Sequence, residues 1–468
     1  MALASLERGL LNAVIYLPVP NLCFNFAMLV PCAPAPCGIG IYTTVRRAFR
    51  NSMNRTSQHI TVRVIILYLA LLATFTVLVT ASSAIPRAAI DHNLKQSVSV
   101  IESEGEYPAH GTMLFTQDNF TDCVILNIAA GIDDKSPLQS AMLNTLHLSG
   151  NGIITDTRAL LDGQPVAERP YARYWHGNQV LLRPLLCVTD YRGIRVINHV
   201  LLTLMALTCL LLCYTRVSRS LAMAMLLGLM VAGCWFVPLN MQYSACFYVA
   251  LGAMLTLLLS PGRAMSHRWA CLLFFALGSV TQYFDLLTTP LITLALPLIV
   301  WCMMVKPKHA CRMVIVLSLM WIAGYALLWA SKWVIASLIT GTDVIGDAAS
   351  SAMLRTMGSE SAEHGATAQS IVGGYLGSVL RPATAGLLLA GIAVMGLLYW
   401  RMARPWRVVR SYTWLLLVAA MPLVWALTLV EHTYIHRFFT WRIIMVTAVA
   451  GLLFLFNTVD WRLILKKS

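Results

Sequence analysis

The sequence predicts an all-α polytopic membrane protein with about ten transmembrane helices and a small extracytoplasmic domain between the first two. Three observations carry that expectation. Of 468 residues, 58% are hydrophobic and 12% charged, with mean hydropathy +0.70, so the chain lacks the polar surface to cover itself in water. Apolar runs of spanning length recur along it. The short junctions between those runs alternate between basic and nearly uncharged. The net charge of +14 is therefore assigned to cytoplasmic loops. A nucleic-acid partner is not expected, because no basic stripe interleaved with aromatics occurs.

Residues 1–59 read as a cytoplasmic lead-in or as an extension ahead of the true start. The stretch "YLPVPNLCFNFAMLVPCAPAPCGIGIY" is apolar but broken by prolines, and it lacks the three-part layout of a signal peptide. A start at Met53 would leave "MNRTSQHITVR", an ordinary cytoplasmic approach to a first helix at 60–84. Apolar runs follow at about 196–214, 219–238, 243–260, 268–284, 287–304, 312–338, 383–400, 412–430 and 442–458. They make 196–460 a bundle of about nine helices, with 461–468 as a tail. Basic residues mark "RVSRS", "SPGRAMSHR", "KPKHACR", "RMARPWRVVR" and "DWRLILKKS", together with the approach to the first helix. The positive-inside rule places all six in the cytoplasm. The segments 85–195 and 339–382 then lie outside.

Residues 85–195 are too many for a passive connection. Gly, Pro and acidic punctuation in "ESEGEYP", "GIDDKSP" and "LDGQP" suggests a folded layer on the outer leaflet. Within it, "DNFTDCVILNIAAG" runs from two acids into apolar residues, so Asp122 falls at the membrane surface. A carboxylate there can have a raised pKa and act as a general base; a helix N-cap is the plainer reading. Asp91, in "PRAAIDHN", is the competing base. Cys123 and Cys187 share this segment and could pair.

The stretch "YARYWHGNQVLLRPLL" interleaves aromatics with cations. Interfacial anchoring accounts for Tyr174 and Trp175. Arg173, His176 and Arg183 ask for an anionic partner such as a phosphate, with snorkelling as the alternative for Arg183. Asp285, in "QYFDLLTTP", is either a helix cap or a cavity-facing acid. Lys332, in "LLWASKWVIASL", is a snorkelling cation or a ligand-binding one. The last set is "EHTYIHRFFTWR", with Glu431, His432, His436 and Arg442. The two histidines are four apart and share a helix face. Without an HExxH pattern they suit a phosphate better than a metal. No metal or cofactor is indicated, although a divalent cation is compatible with the chemistry.

A cytoplasmic start, one span, a large outer loop with an acidic residue and then many spans with short connections resembles the GT-C class of membrane glycosyltransferases. The segments "NFTDCVILN", "RYWHG", "YFDLLTTPL" and "HTYIHRFFTWR" also look like those of uncharacterised bacterial membrane proteins with this layout. The resemblance covers about 60–460, but the paired acids expected in the first loop are not apparent near Asp91. It implies a multi-pass protein of the bacterial cytoplasmic membrane with an extracytoplasmic site. A sugar would pass from a polyprenyl-phosphate donor to a glycan or lipid-linked acceptor, in cell-envelope polysaccharide assembly. Asp122 or Asp91 would be the base, and Arg183, His432, His436 and Arg442 would neutralise the departing phosphate. A transporter or flippase of a lipid-linked anion would use the same cations. A midplane acid or an internal repeat, which a transporter would tend to carry, is not found.

Overall fold

The computed structural model describes residues 39–357, 396–397 and 403–461. The expected span 383–400, most of the expected outer loop 339–382 and nearly all of the tail lie outside the described residues, as does the proline-broken opening up to residue 38. Residues 63–468 form one compact unit, and the preceding residues group separately.

Helix α1 runs Ile39–Ser83, and its Ile60–Ser83 portion is long and apolar enough to cross a membrane. After Pro86 comes a layer of short elements. It comprises α2 (Arg87–Glu104), β1 (Ala109–His110), β2 (Thr112–Thr116), α3 (Asn119–Gly131), α4 (Pro137–Leu143), β3 (Leu146–His147), α5 (Ile153–Leu161), β4 (Glu168–Arg169) and α6 (Gln179–Leu186). β1 pairs antiparallel with β2, and β3 with β4. The expected small domain is thus not a body of its own. Its core of Ile90, Leu94, Ile101, Ile125 and Leu186 continues into Tyr191 and Ile194 of α7 and meets Met241 of α9. Cys123 and Cys187 do not pair: both are free, Cys123 buried and Cys187 exposed.

The bundle follows. Its elements are α7 (Tyr191–Arg216), α8 (Arg219–Val231), α9 (Met241–Leu259), α10 (Pro261–Ala264), α11 (His267–Phe284), α12 (Leu291–Val305), α13 (Ala310–Thr340) and α14 (Val344–Met357). After the undescribed stretch come α15 (Trp406–Ser411), α16 (Trp414–Thr428), α17 (Val430–Ile435), α18 (Arg437–Thr440) and α19 (Ile444–Thr458).

The expected ten spans are not all present. Among the described residues five segments are long and apolar enough: Ile60–Ser83, α7, α9, α13 and Arg437–Thr458. Three expected spans are shorter apolar helices: α8 with 13 residues, α12 with 15 and α16 with 15. At 1.5 Å per residue they reach only about 20 to 23 Å of a core about 30 Å thick. α8 stops because Gly233, at φ +64°, turns the chain before it can continue. α12 starts late because residues 285–290 form a turn. The helix α11 has the length, but His267, Arg268 and Gln282 dilute its apolar character.

Close backbone approach fixes the pairing of α11 with α13. A Cβ on Gly278 would sit 1.9 Å from the Trp321 carbonyl oxygen, and one on Gly324 would sit 2.0 Å from that of Phe275. Reciprocal glycines let two helices pack on their backbones. Ser279 Oγ reinforces the contact by donating to the Gly324 carbonyl at 3.2 Å.

Candidate active site

Several charged groups that the sequence assigns to ligand binding instead fasten helix ends. Arg183 is fully buried. Its Nε donates to Ser82 O (2.8 Å), its Nη1 to Ala129 O (2.7 Å) and its Nη2 to Ile85 O. Those carbonyls close α1 and α3, where unpaired C=O groups and the negative dipole end favour a cation. Burial pushes Arg183 down to about 10, which leaves it charged at neutral pH. All three nitrogens are engaged with backbone carbonyls, so Arg183 acts as a clamp on these helix ends. Lys332 behaves alike: its Nζ donates to the Ala141 and Met142 carbonyls at 2.9 Å each, at the end of α4.

Asp122 plays the complementary part at a helix start. Asn240, the N-cap of α9, makes no side-chain capping bond of its own. Asp122 supplies the cap from outside. Its Oδ2 accepts from Met241 N (3.0 Å), Asn240 Nδ2 (2.9 Å) and Tyr191 OH, and its Oδ1 from Gln242 N (3.2 Å). Burial raises its pKa, and those four donors oppose the rise. With both oxygens occupied and no exposed surface, Asp122 has a structural role that leaves little room for proton transfer to a substrate. The N-cap anticipated at this position exists, but it serves α9 and not α3.

The other expected residues separate in the same way. Asp91 lies in an ion-paired triplet with Arg87 and Lys95, each 2.9 Å away. Burial works upward on it, but hydrogen bonds from Lys95 and Arg87 outweigh this and hold it below the usual carboxylate range. Arg173 pairs with Asp347 at 3.2 Å and lies 4.5 Å over the Tyr171 ring. His176, at φ +52°, is buried beside Tyr171 and Tyr174. Burial, with Lys332 and Arg173 nearby, pushes it down to about 3. The neutral imidazole is thereby favoured. Asp285 accepts from Leu287 N (3.0 Å), Thr288 N (2.8 Å) and Cys246 Sγ (3.3 Å) and so stiffens its own turn. Burial raises it to about 6.

What does converge is a connected run of aromatic and polar groups around Tyr243. The Tyr243 hydroxyl donates to Thr116 O at 3.0 Å. The Arg442 guanidinium lies 4.3 Å from the Tyr243 ring centre and 5.7 Å from that of Phe236. Arg442 is 1% exposed, yet its Nε and Nη2 have no hydrogen-bond partner. Phe439 links Tyr243 (6.0 Å) to His436 (5.0 Å), and His436 adjoins His432 at 4.7 Å. The His432 Nε2 meets Leu287 O at 2.7 Å, in the turn that Asp285 stiffens. Both Glu431 carboxylate oxygens are buried without a hydrogen bond. Buried polar atoms are normally paired. Unpaired ones gathered at one place mark a site suited to water or a polar ligand.

Asp118 belongs to this region and was not among the residues the sequence singled out. It is 1% exposed and N-caps α3, accepting from Thr121 N (3.0 Å) and Thr121 Oγ1 (2.8 Å). Burial, with Asp122 nearby, pushes it up to about 7. It follows Thr116, the anchor of Tyr243, by two residues. The signal was present in "QDNFTD", where two acids precede the apolar run and either could have been the one that titrates.

No family model matches this chain, and neither does any curated protein or solved structure. Among the described residues, no group of three or more His, Cys, Asp or Glu side chains could hold a metal ion. The chemistry available is therefore that of a carboxyl group poised near neutrality, a buried guanidinium held through Nη1 to Phe438 O at 3.5 Å, and a neighbouring pair of histidines.

Proposed function

We propose that this chain is an integral-membrane glycosyltransferase that moves a sugar from a polyprenyl-phosphate donor to a glycan or lipid-linked acceptor. Its site would lie on the extracytoplasmic face. Asp118 takes the place that the sequence offered to Asp122 or Asp91. One observation supports the reading above the others: a carboxyl pushed up to about 7 lies two residues from Thr116, the anchor of the Tyr243 hydroxyl, and a buried guanidinium lies 4.3 Å from the Tyr243 ring.

In the proposed step, the acceptor hydroxyl oxygen attacks the anomeric carbon and its proton passes to Asp118. The bond from that carbon to the phosphate oxygen breaks, and its electron pair leaves with the phosphate. Arg442 neutralises the charge developing there, and the configuration inverts. A base with a pKa near the working pH is well matched to this task. A fixed, water-shielded guanidinium stabilises the leaving group without reorganising. Glu431, one residue from His432, is available to hold sugar hydroxyls.

The test is sugar transfer from a labelled polyprenyl-phosphate sugar in proteoliposomes holding the full chain. Asp118→Asn is expected to lower transfer by a factor of 100 or more, roughly the worth of a positioned base, and Arg442→Gln by a similar factor. Transfer by the unaltered protein should climb to a plateau as pH rises through about 7. Full activity of Asp118→Asn would remove the base assignment. Movement of the lipid-linked sugar across the bilayer without transfer would favour a flippase.

A further inference from the structure

A second concentration of charge lies away from the Tyr243 region, where the α12–α13 turn meets the junction of α15 and α16. A cavity of 610 Å³ there is lined by Lys306, Lys308, Arg312 and Arg410, with His309 beside them and Trp414 among its apolar neighbours. Among the described residues no Asp or Glu lines it. The cations come from two stretches about a hundred residues apart, joined where Cys311 Sγ approaches Thr413 Oγ1 at 4.0 Å. Among the described residues, no carboxylate lies within ion-pair distance of Lys306, Lys308 or Arg410. Lys306 closes α12 in a left-handed conformation, φ +47°. The N-cap of the 31-residue α13, His309, makes no side-chain capping bond, so the positive end of that helix adds to the field.

The positive-inside rule asks only for cations on one side of the membrane, and solvated loops satisfy it. It does not ask for Lys306, Lys308 and Arg410 to share one concavity with no carboxylate paired to them among the described residues. Like charges gathered in this way repel one another, and an anion held among them would relieve the repulsion. Phosphate is the anion whose geometry suits Arg and Lys together. We propose that this cavity binds a phosphate group, carried by an anionic membrane lipid or by a soluble phosphate ester. The assignment is independent of glycosyl transfer.

The full chain purified in detergent provides the test, with thermal melting as readout. Phosphatidylglycerol added to the micelles should raise the melting temperature by a few degrees over an equal amount of phosphatidylcholine, because a ligand that binds only the folded state stabilises it. The triple variant Lys306→Gln, Lys308→Gln, Arg410→Gln should melt like the unaltered protein in phosphatidylcholine and lose that increment. Glycerol phosphate in the same assay separates the sources. An equal rise with glycerol phosphate assigns a soluble ester, and a rise with phosphatidylglycerol alone assigns a lipid headgroup. A control variant, Arg219→Gln with Arg268→Gln, removes two exposed cations elsewhere and should keep the increment. The proposal falls if neither compound stabilises the protein, or if the control loses as much as the triple variant.

Discussion

Asp118 and Asp122 are four residues apart, both buried, and opposite in consequence. Asp122 is satisfied by four donors from two segments, whereas the Asp118 carboxylate is held by Thr121 of its own helix. Asp122→Asn keeps the shape but turns an amide NH₂ toward donors, so stability should fall by about 1 to 3 kcal/mol. Thermal melting checks this, and any loss of transfer should track the loss of folded protein. Asp118 should behave in the reverse sense. Its folded pKa of about 7 lies above the ordinary 3.8, so between those values the folded state holds more protons than the unfolded one. Stability contributed here is therefore lost as pH rises from about 4 to about 7, by on the order of 4 kcal/mol at most. Asp118→Asn should flatten that slope in melting curves taken across the same range. An unchanged slope would mean that the carboxyl is not desolvated as described. The sequence made both acids visible as a pair ahead of an apolar run. It could not say which one is saturated, because the saturating groups, Tyr191 and residues 240–242, lie 69 to 120 positions away.

Helices and their ends explain the larger departures from the sequence reading. Runs such as α7 and α13 were legible because length and hydropathy alone define a span. The limits of α8 and α12 depend on turns at Gly233 and at 285–290, which hydropathy does not register. The partners of buried cations were not legible for a related reason. Arg183 and Lys332 stand in apolar runs and so look like residues waiting for an anion. Their partners are backbone carbonyls 54 to 191 positions away, which carry no sequence signature. Arg183→Met should accordingly leave the Ile85 and Ala129 carbonyls unpaired and remove the charged donor of Ser82 O, which keeps only its bond from Ile85 N. It should cost about 3 kcal/mol or more, measured as loss of folded protein in a denaturant titration. A phosphate-binding arginine would instead be lost with little cost to the fold. The α11–α13 contact gives a second check at this scale. Gly278→Ala would put a Cβ 1.9 Å from the Trp321 carbonyl oxygen, and backbone cannot yield as a side chain can. A marked fall in melting temperature is expected, larger than for Gly262→Ala, where a Cβ meets nothing within 4 Å.

At the scale of the whole molecule, the charge alternation predicts which end of the bundle faces the cytoplasm. The basic turn at 306–312 and the 404–410 stretch belong on one side. The 85–195 layer belongs on the other, together with the Tyr243 region that rests on Thr116. Placing the second group outside keeps the phosphate-binding cavity and the proposed transfer site on opposite faces. Two native cysteines report on this directly, since Cys187 and Cys311 are both exposed and free. Cys187 lies in the 85–195 layer and Cys311 at the start of α13, in the basic turn. An impermeant maleimide applied to intact cells should label Cys187 and spare Cys311, and Cys187→Ser should remove that signal. After permeabilisation Cys311 should become reactive, and Cys311→Ser should remove the gain. Labelling of Cys311 in intact cells would invert the molecule. The Tyr243 region would then face the cytoplasm, and transfer from a donor displayed on the outer leaflet could not take place there.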